Sequence, residues 1–181
     1  MANIQSLNYM LMQAKCSLLS LNVRGLRNQV KRRSIFKFLK DQNCMIYLLQ
    51  ETFSEPNDEL IWKNEWGGDI FFSHGSVHSK GVSILVNPLW RLNVEANSKD
   101  LEGRIVSVSL IYNQGKISIC NVYAPNDSQQ QQKFLQNLNS HLMLHTDTSN
   151  LVVGGDWNVT LHSIDKRGGA PWRPTLYRDH I

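Results

Sequence analysis

The sequence predicts a layered α/β domain built on a mixed sheet. Three observations carry this expectation. Short apolar runs bounded by turn residues mark buried strands, the longest being Cys44 to Leu49. Apolar residues recur at helical spacing in two longer stretches, after Gln29 and after Ser128. Two neighbouring segments alternate with period two around a glycine-containing turn, which is a hairpin pattern. Parallel crossovers beside a hairpin call for a mixed sheet.

Residues 1–15 show no clear period and read as a loose lead-in. Cys16 to Asn22 reads as a strand, ended by an Arg24-Gly25 turn. Gln29 to Asp41 reads as a helix with Ile35, Phe38 and Leu39 on one face. Basic residues cover the remainder, and a solvated outer face is expected there. Cys44 to Gln50 reads as a short buried strand. Asn57 to Glu65 reads as a helix stopped by Gly67-Gly68. Strands follow at Asp69 to Phe72 and Gly81 to Val86, the second closed by Asn87-Pro88.

Ile105 to Tyr112 and Lys116 to Tyr123 form the hairpin, through Asn113-Gln114-Gly115. Ser128 opens the next helix, with Gln131 placed for a capping box. Phe134, Leu135, Leu138 and Leu142 form its apolar face. Leu151 to Asp156 reads as a last buried strand. Beyond Asn158 the chain turns polar, and a helix-like start follows at Thr175. No repeat or interior linker divides residues 16–181, which read as one domain.

Of the 181 residues, 41% are hydrophobic and only 19% are charged, which argues against a disordered chain. The net charge is +4, unevenly placed. Arg24, Arg27, Lys31, Arg32, Arg33, Lys37 and Lys40 fall within residues 23–40 with no acid among them, so the rest of the chain is slightly acidic. A local basic strip suits a polyanion better than a membrane surface. The longest apolar run is far too short to span a bilayer. The N-terminus lacks a basic segment ahead of an apolar one, so no signal peptide is expected. Cys16, Cys44 and Cys120 are an odd set in apolar runs, which points to buried reduced thiols. The expected location is intracellular, nuclear or cytoplasmic. The glycosylation-like triplets Asn126-Asp127-Ser128 and Asn158-Val159-Thr160 then carry no meaning.

Polar residues stand at the strand exits, where open α/β sheets usually place their sites. Asn22 ends the first strand, Glu51 the second, Tyr123 the hairpin and Asp156 the last strand, with Asn158 two residues on. Singly, each has an ordinary structural explanation: a turn cap, a loop cap, a packed strand residue, a strand-to-loop turn. Five in order, each at an exit, point to a shared site. Glu, Asp and Asn together make an oxygen-donor set suited to a hard divalent cation such as Mg²⁺. Such an ion, with an Asp to orient water, fits hydrolysis of a phosphate ester. The pairs His74–His78 and His141–His145 are read as ordinary residues, since neither brings a full ligand set. No phosphate-binding Gly-rich loop or dinucleotide fingerprint is present, so no small-molecule cofactor is expected.

The chain resembles the endonuclease/exonuclease/phosphatase superfamily. The matching segments are Ser20-Leu21-Asn22-Val23-Arg24-Gly25-Leu26, Leu49-Gln50-Glu51-Thr52, Gly81-Val82-Ser83-Ile84-Leu85-Val86, Asn121-Val122-Tyr123-Ala124-Pro125-Asn126 and Gly154-Gly155-Asp156-Trp157-Asn158. Each is weak alone; the ordered set, covering residues 16 to about 170, is specific. The first two segments look most like the endonuclease domain of non-LTR (long interspersed element) retrotransposons, and Asp165-Lys166-Arg167 fits loosely. That branch in turn resembles exonuclease III and apurinic-site repair nucleases, the runner-up reading.

The resemblance implies a four-layer α/β sandwich, two mixed sheets flanked by helices. It implies Mg²⁺-assisted phosphodiester hydrolysis on DNA, with Mn²⁺ as an alternative ion, leaving a 3′-hydroxyl. It implies that Glu51 holds the metal, with Asn22 and Asp156 beside it. Tyr123 would contact the scissile phosphate, Asp156 would orient the attacking water, and Asn158 would hydrogen-bond a phosphate oxygen. Arg24, Arg27 and Arg167 are the candidate DNA contacts. Trp157 stands where the family usually has Phe, a change between large aromatics. The family also carries a later Asp and a terminal Ser-Asp-His triplet. The expectation is therefore an N-terminal portion with the second half incomplete, inactive alone or a non-catalytic remnant that at most binds nucleic acid. Asp179-His180 is not expected to be that triplet, because Thr175 to Arg178 reads as a helix turn. Oligomeric state is left open.

Overall fold

In the computed structural model, residues 16–90, 92–112, 115–145 and 150–159 are described. The lead-in, Asn113-Gln114, Asp165-Lys166-Arg167, the helix-like start at Thr175 and Asp179-His180 lie outside them.

Strand β1 (Leu18–Asn22) leads into helix α1 (Gln29–Gln42) and strand β2 (Ile46–Gln50). A 3-10 turn (Pro56–Asp58) precedes α2 (Glu59–Trp66), followed by β3 (Ile70–Ser73) and β4 (Val82–Val86). The second half holds β5 (Asn93–Lys99), β6 (Ile105–Tyr112), β7 (Gly115–Tyr123), α3 (Ser128–Leu142) and β8 (Asn150–Asp156). Among the described residues the strands form two four-stranded mixed sheets, ordered β1-β2-β4-β3 and β5-β6-β7-β8.

Side-chain alternation on the strands builds the layers. Ile46 and Leu48 of β2, with Val82, Ile84 and Val86 of β4, face Val106, Val108, Leu110 and Ile119 of the second sheet. Tyr47, Leu49 and Leu85 point the other way, into a cluster with Phe36, Leu39, Trp62 and Trp66 of the two helices. On the far side, Ile105, Cys120 and Val122 pack under Phe134 and Leu138 of α3. The result is helices, sheet, sheet, helix, as the resemblance implied.

Several local expectations are corrected. On α1 Leu39 is in the core as expected, but its companion there is Phe36, while Phe38 is 45% exposed. Arg32 is not on the solvated face. It is buried, donating to Glu65 Oε2 from Nε at 2.6 Å and to the Leu26 carbonyl at 3.0 Å. Helix α3 is capped by Asp127, whose side chain accepts from Gln129 N, rather than by a box opened at Ser128. The turn expected to start a helix at Asn57 is 3-10, and the α-helix begins at Glu59. Strand β5 was not expected. It is an edge strand of sequence Asn-Val-Glu-Ala-Asn-Ser-Lys, mostly exposed, with a register shift between Val94 and Ala96. Edges with polar residues and bulges resist pairing with other chains, which also hides them from hydrophobic patterning. Cys120 is buried, whereas Cys16 and Cys44 are half-buried and precede their strands; all three are free thiols. No helix among the described residues is long and apolar enough to cross a membrane.

Candidate active site

Each sheet contains one parallel pair, and both pairs end at the site. In the first sheet β1 runs parallel to β2, with Asn22 in register with Gln50. In the second β7 runs parallel to β8, with Tyr123 in register with Asp156. The sheets stack with β1 near β8. The carboxyl ends of four strands thus meet, and the four expected exit residues meet with them.

The chain leaves these strands sharply. Arg24, Glu51, Phe53 and Asn158 all have left-handed backbone, with φ of 47°, 53°, 57° and 50°. Non-glycine residues adopt this conformation at a cost and concentrate at functional turns. Gly155 has φ 140°, and a Cβ there would overlap the Val122 backbone, so glycine alone lets β8 close on β7 just before Asp156.

Asn22 Nδ2 donates to Glu51 Oε1 and to Asp156 Oδ2, each at 2.9 Å. Tyr123 donates its hydroxyl to the same Glu51 oxygen at 2.9 Å. The backbone N–H of Asn158 donates to Asp156 Oδ1 at 3.0 Å, and its side-chain amide donates to the Ala124 carbonyl at 2.7 Å. Asn22 Oδ1 accepts from Arg24 N at 3.2 Å, so oxygen ligation by Asn22 would require the amide to turn over. All five expected site residues are therefore in one hydrogen-bonded cluster spanning both sheets.

Burial, and then the hydrogen bond to Glu51, push the Tyr123 phenol above its ordinary value of 10. The Arg104 guanidinium lies 5.5 Å from the Tyr123 ring centroid and donates to the Tyr123 carbonyl at 3.0 Å. A cleft of about 340 Å³ opens beside Glu51 and Tyr123, bordered by Phe53, His78, Lys80 and Arg104.

Of the candidate DNA contacts, Arg24 is exposed beside Asn22, and Arg27 is ion-paired with Glu55. Arg167 lies outside the described residues. Trp157 packs with the α3 cluster behind the site loop. His141 is within hydrogen-bond reach of Ser98 and Ser107, as an ordinary core histidine would be. Among the described residues no cluster of three His, Cys, Asp or Glu occurs. The site offers two carboxylates with amide and phenol groups, an oxygen-rich set.

Two residues were missed by sequence reasoning. Gln50 and Asn121 are buried polar residues in otherwise apolar strands, and they join the sheets beneath the site. Polar residues at core positions were the available signal.

The family model described as Endonuclease/Exonuclease/phosphatase family matches residues 19–180. The chain belongs to this family. Solved structures share the fold at low identity. An AP endonuclease from Archaeoglobus fulgidus superposes with a TM-score of 0.65 at 22% identity, covering 85% of this chain and 62% of that one. The endonuclease domain of TRAS1, a telomere-specific non-LTR retrotransposon, superposes with a TM-score of 0.59 at 18% identity, covering 79% and 60%. In sequence, the chain is 29% identical over 150 residues to the uncharacterized 149 kDa protein of transposon TX1 from Xenopus laevis. That match covers 83% of this chain and 12% of the TX1 protein, so the chain spans a small part of that relative. The family's fold and the transposon relationship both agree with the resemblance read from the motifs.

Proposed function

We propose that this chain is a metal-dependent DNA endonuclease domain of retrotransposon origin, acting inside the cell on nuclear or cytoplasmic DNA. The observation that carries the reading is the bridge from Asn22 Nδ2 to both Glu51 and Asp156, with the Tyr123 hydroxyl on the same Glu51 oxygen. Two carboxylates drawn from different sheets converge on one small donor. This concentrates negative charge where a Mg²⁺ or Mn²⁺ ion would be held, and the donor chemistry fits such a hard cation. Glu51 and Asp156 would hold the ion, with Asn22 turning its amide oxygen toward it. When bound, the ion neutralises charge on the phosphodiester oxygens.

The protein's own groups supply the rest. Asp156 is held by the Asn158 N–H so that one carboxylate oxygen is fixed. It orients the attacking water and takes its proton as the water oxygen bonds to phosphorus. The P–O3′ bond breaks, and the 3′-oxygen takes up a proton from solvent water as it leaves as a hydroxyl. Tyr123, once its hydroxyl leaves Glu51, and Asn158 would hydrogen-bond phosphate oxygens. The TX1 match favours the transposon branch over a repair nuclease.

The test is nicking of supercoiled plasmid by the chain, expressed with whatever coding sequence follows Ile181 in its gene. Nicking should require Mg²⁺ or Mn²⁺ and stop with EDTA. Glu51→Gln and Asp156→Asn should each lower the rate roughly 100-fold or more. Both folded variants nicking at the parental rate would refute the assignment. DNA binding with no nicking under any divalent ion would support the non-catalytic reading.

A further inference from the structure

We propose that His74 is the positioning residue of the cleft, setting the loop that carries Glu51 against the two loops beside it. The inference rests on the metal-dependent reading above and deepens it.

His74 follows β3, and its side chain is only 13% exposed. Its Nδ1 lies 3.1 Å from Ser54 Oγ, which lies 3.1 Å from Thr52 Oγ1. On the other side, Nε2 lies 2.9 Å from Glu59 Oε1 at the start of α2. Phe72 stacks on the ring with centroids 5.3 Å apart. One neutral tautomer satisfies the whole chain: Nε2–H donates to Glu59, Nδ1 accepts from Ser54, and Ser54 accepts from Thr52. Thr52 and Ser54 are completely buried, so no water replaces these bonds.

Thr52 directly follows Glu51, in a loop where both Glu51 and Phe53 have positive φ. Such a loop persists only when its surroundings over-determine it. Backbone bonds do part of this. Gly25 N donates to the Glu51 carbonyl at 2.6 Å and Leu26 N to Thr52 at 3.0 Å. From the loop itself, Thr52 N reaches the Gly81 carbonyl and Phe53 N the Lys80 carbonyl, each at 3.0 Å. The buried hydroxyls of Thr52 and Ser54 supply a second set, and that set runs to His74.

The backbone of His74 is equally constrained. Gly103 has φ 70°, and a Cβ there would overlap the His74 carbonyl. Gly81 N donates to the Gly103 carbonyl at 3.0 Å. Three loops, 51–55, 74–81 and 100–104, therefore close on one another around this residue. The charged side chains they present to the cleft are Glu51, Lys80 and Arg104, beside Phe53, His78 and Ser79. A ring that joins the Glu51 loop to α2 and β3 fixes the height of Glu51 relative to that basic wall.

The experiment measures Mn²⁺ affinity of the chain by electron paramagnetic resonance, with thermal melting in parallel. Ser54→Ala deletes one hydroxyl at nearly constant volume. It should weaken Mn²⁺ binding roughly 10-fold while a cooperative melt is kept. His74→Ala should do at least as much. His74→Asn, whose amide oxygen can take the place of Nδ1, should recover most of the loss. Parental affinity in folded Ser54→Ala, with Glu51→Gln still abolishing binding, would overturn the inference and leave the metal reading intact. If Glu51→Gln leaves binding unchanged, the metal reading fails instead. Amide exchange at Thr52 and Phe53 then decides: faster exchange in Ser54→Ala supports the positioning role, and unchanged exchange overturns it.

Discussion

Gln50 Nε2 donates to Asn121 Oδ1 at 2.7 Å across the interface between the two sheets. Asn121 in turn donates to the carbonyls of Leu49 and Ser83, each at 2.9 Å. Gln50 immediately precedes Glu51, and Asn121 stands two residues before Tyr123. A fully satisfied polar clamp in an apolar interface sets one relative height for the two strand ends. It thereby sets the distance over which Tyr123 reaches Glu51.

Asn121→Ala removes the hydrogen bond from Gln50 and those to the buried Leu49 and Ser83 carbonyls, while Gln50 keeps the Leu48 carbonyl and Ser20. The expected cost is about 2–3 kcal/mol, since each buried group left unsatisfied costs roughly 1–3 kcal/mol. Urea unfolding checks this, as a lower midpoint at unchanged slope. A midpoint indistinguishable from the parent would show that the clamp is not needed.

The clamp also shows where sequence reading stops. Periodicity located β6, β7 and the apolar face of α3 because large apolar residues repeat on one face of each, Val106, Val108 and Leu110 between the sheets and Phe134 and Leu138 on the helix. It placed Asn22, Glu51, Tyr123 and Asp156 at strand exits for the same reason. It did not reveal β5, whose exposed edge has no apolar face to pattern. It chose Phe38 over Phe36 because helical spacing alone leaves the rotation of α1 open. That rotation is set by Trp66, whose ring meets Phe36 edge-on at 5.4 Å. The pairing of Gln50 with Asn121, and of Asn22 with Asp156, depends on how the two sheets stack. Such contacts join residues 71 and 134 positions apart, and no local pattern encodes them.

Glu65 should make the fold sensitive to acid. The hydrogen bond from Arg32 holds its carboxyl down at about 2, against an ordinary 4.5. A depressed folded value means the stabilisation is complete above about 4.5 and lost as pH falls toward 2. Glu65→Gln is expected to cost about 2 kcal/mol at neutral pH, in the range of a hydrogen bond to a charged group. It should also flatten the decline in stability across that acid window. Denaturant unfolding over a pH series measures both. Parallel pH profiles for parent and variant would contradict the pairing.

Tyr123 should titrate late. Burial and the bond to Glu51 favour its neutral form, so its folded pKa lies above the ordinary 10. The corresponding stabilisation is present below that ordinary value and lost as pH rises through the folded one. Ultraviolet difference titration of the parent against Tyr123→Phe isolates this phenol. Glu51→Gln should bring its pKa down toward 10. A phenol that titrates at the ordinary value in the parent would mean that Tyr123 and Glu51 are not coupled.

The central claim is that Glu51, Asn22 and Asp156 form one divalent-cation site. Anomalous diffraction from crystals of the chain soaked in Mn²⁺ tests it most directly. The expected result is one strong peak bounded by these three side chains, with the Asn22 amide turned to present its oxygen, and no such peak in Glu51→Gln. An empty site at saturating Mn²⁺, or a peak there that survives both Glu51→Gln and Asp156→Asn, would contradict the account.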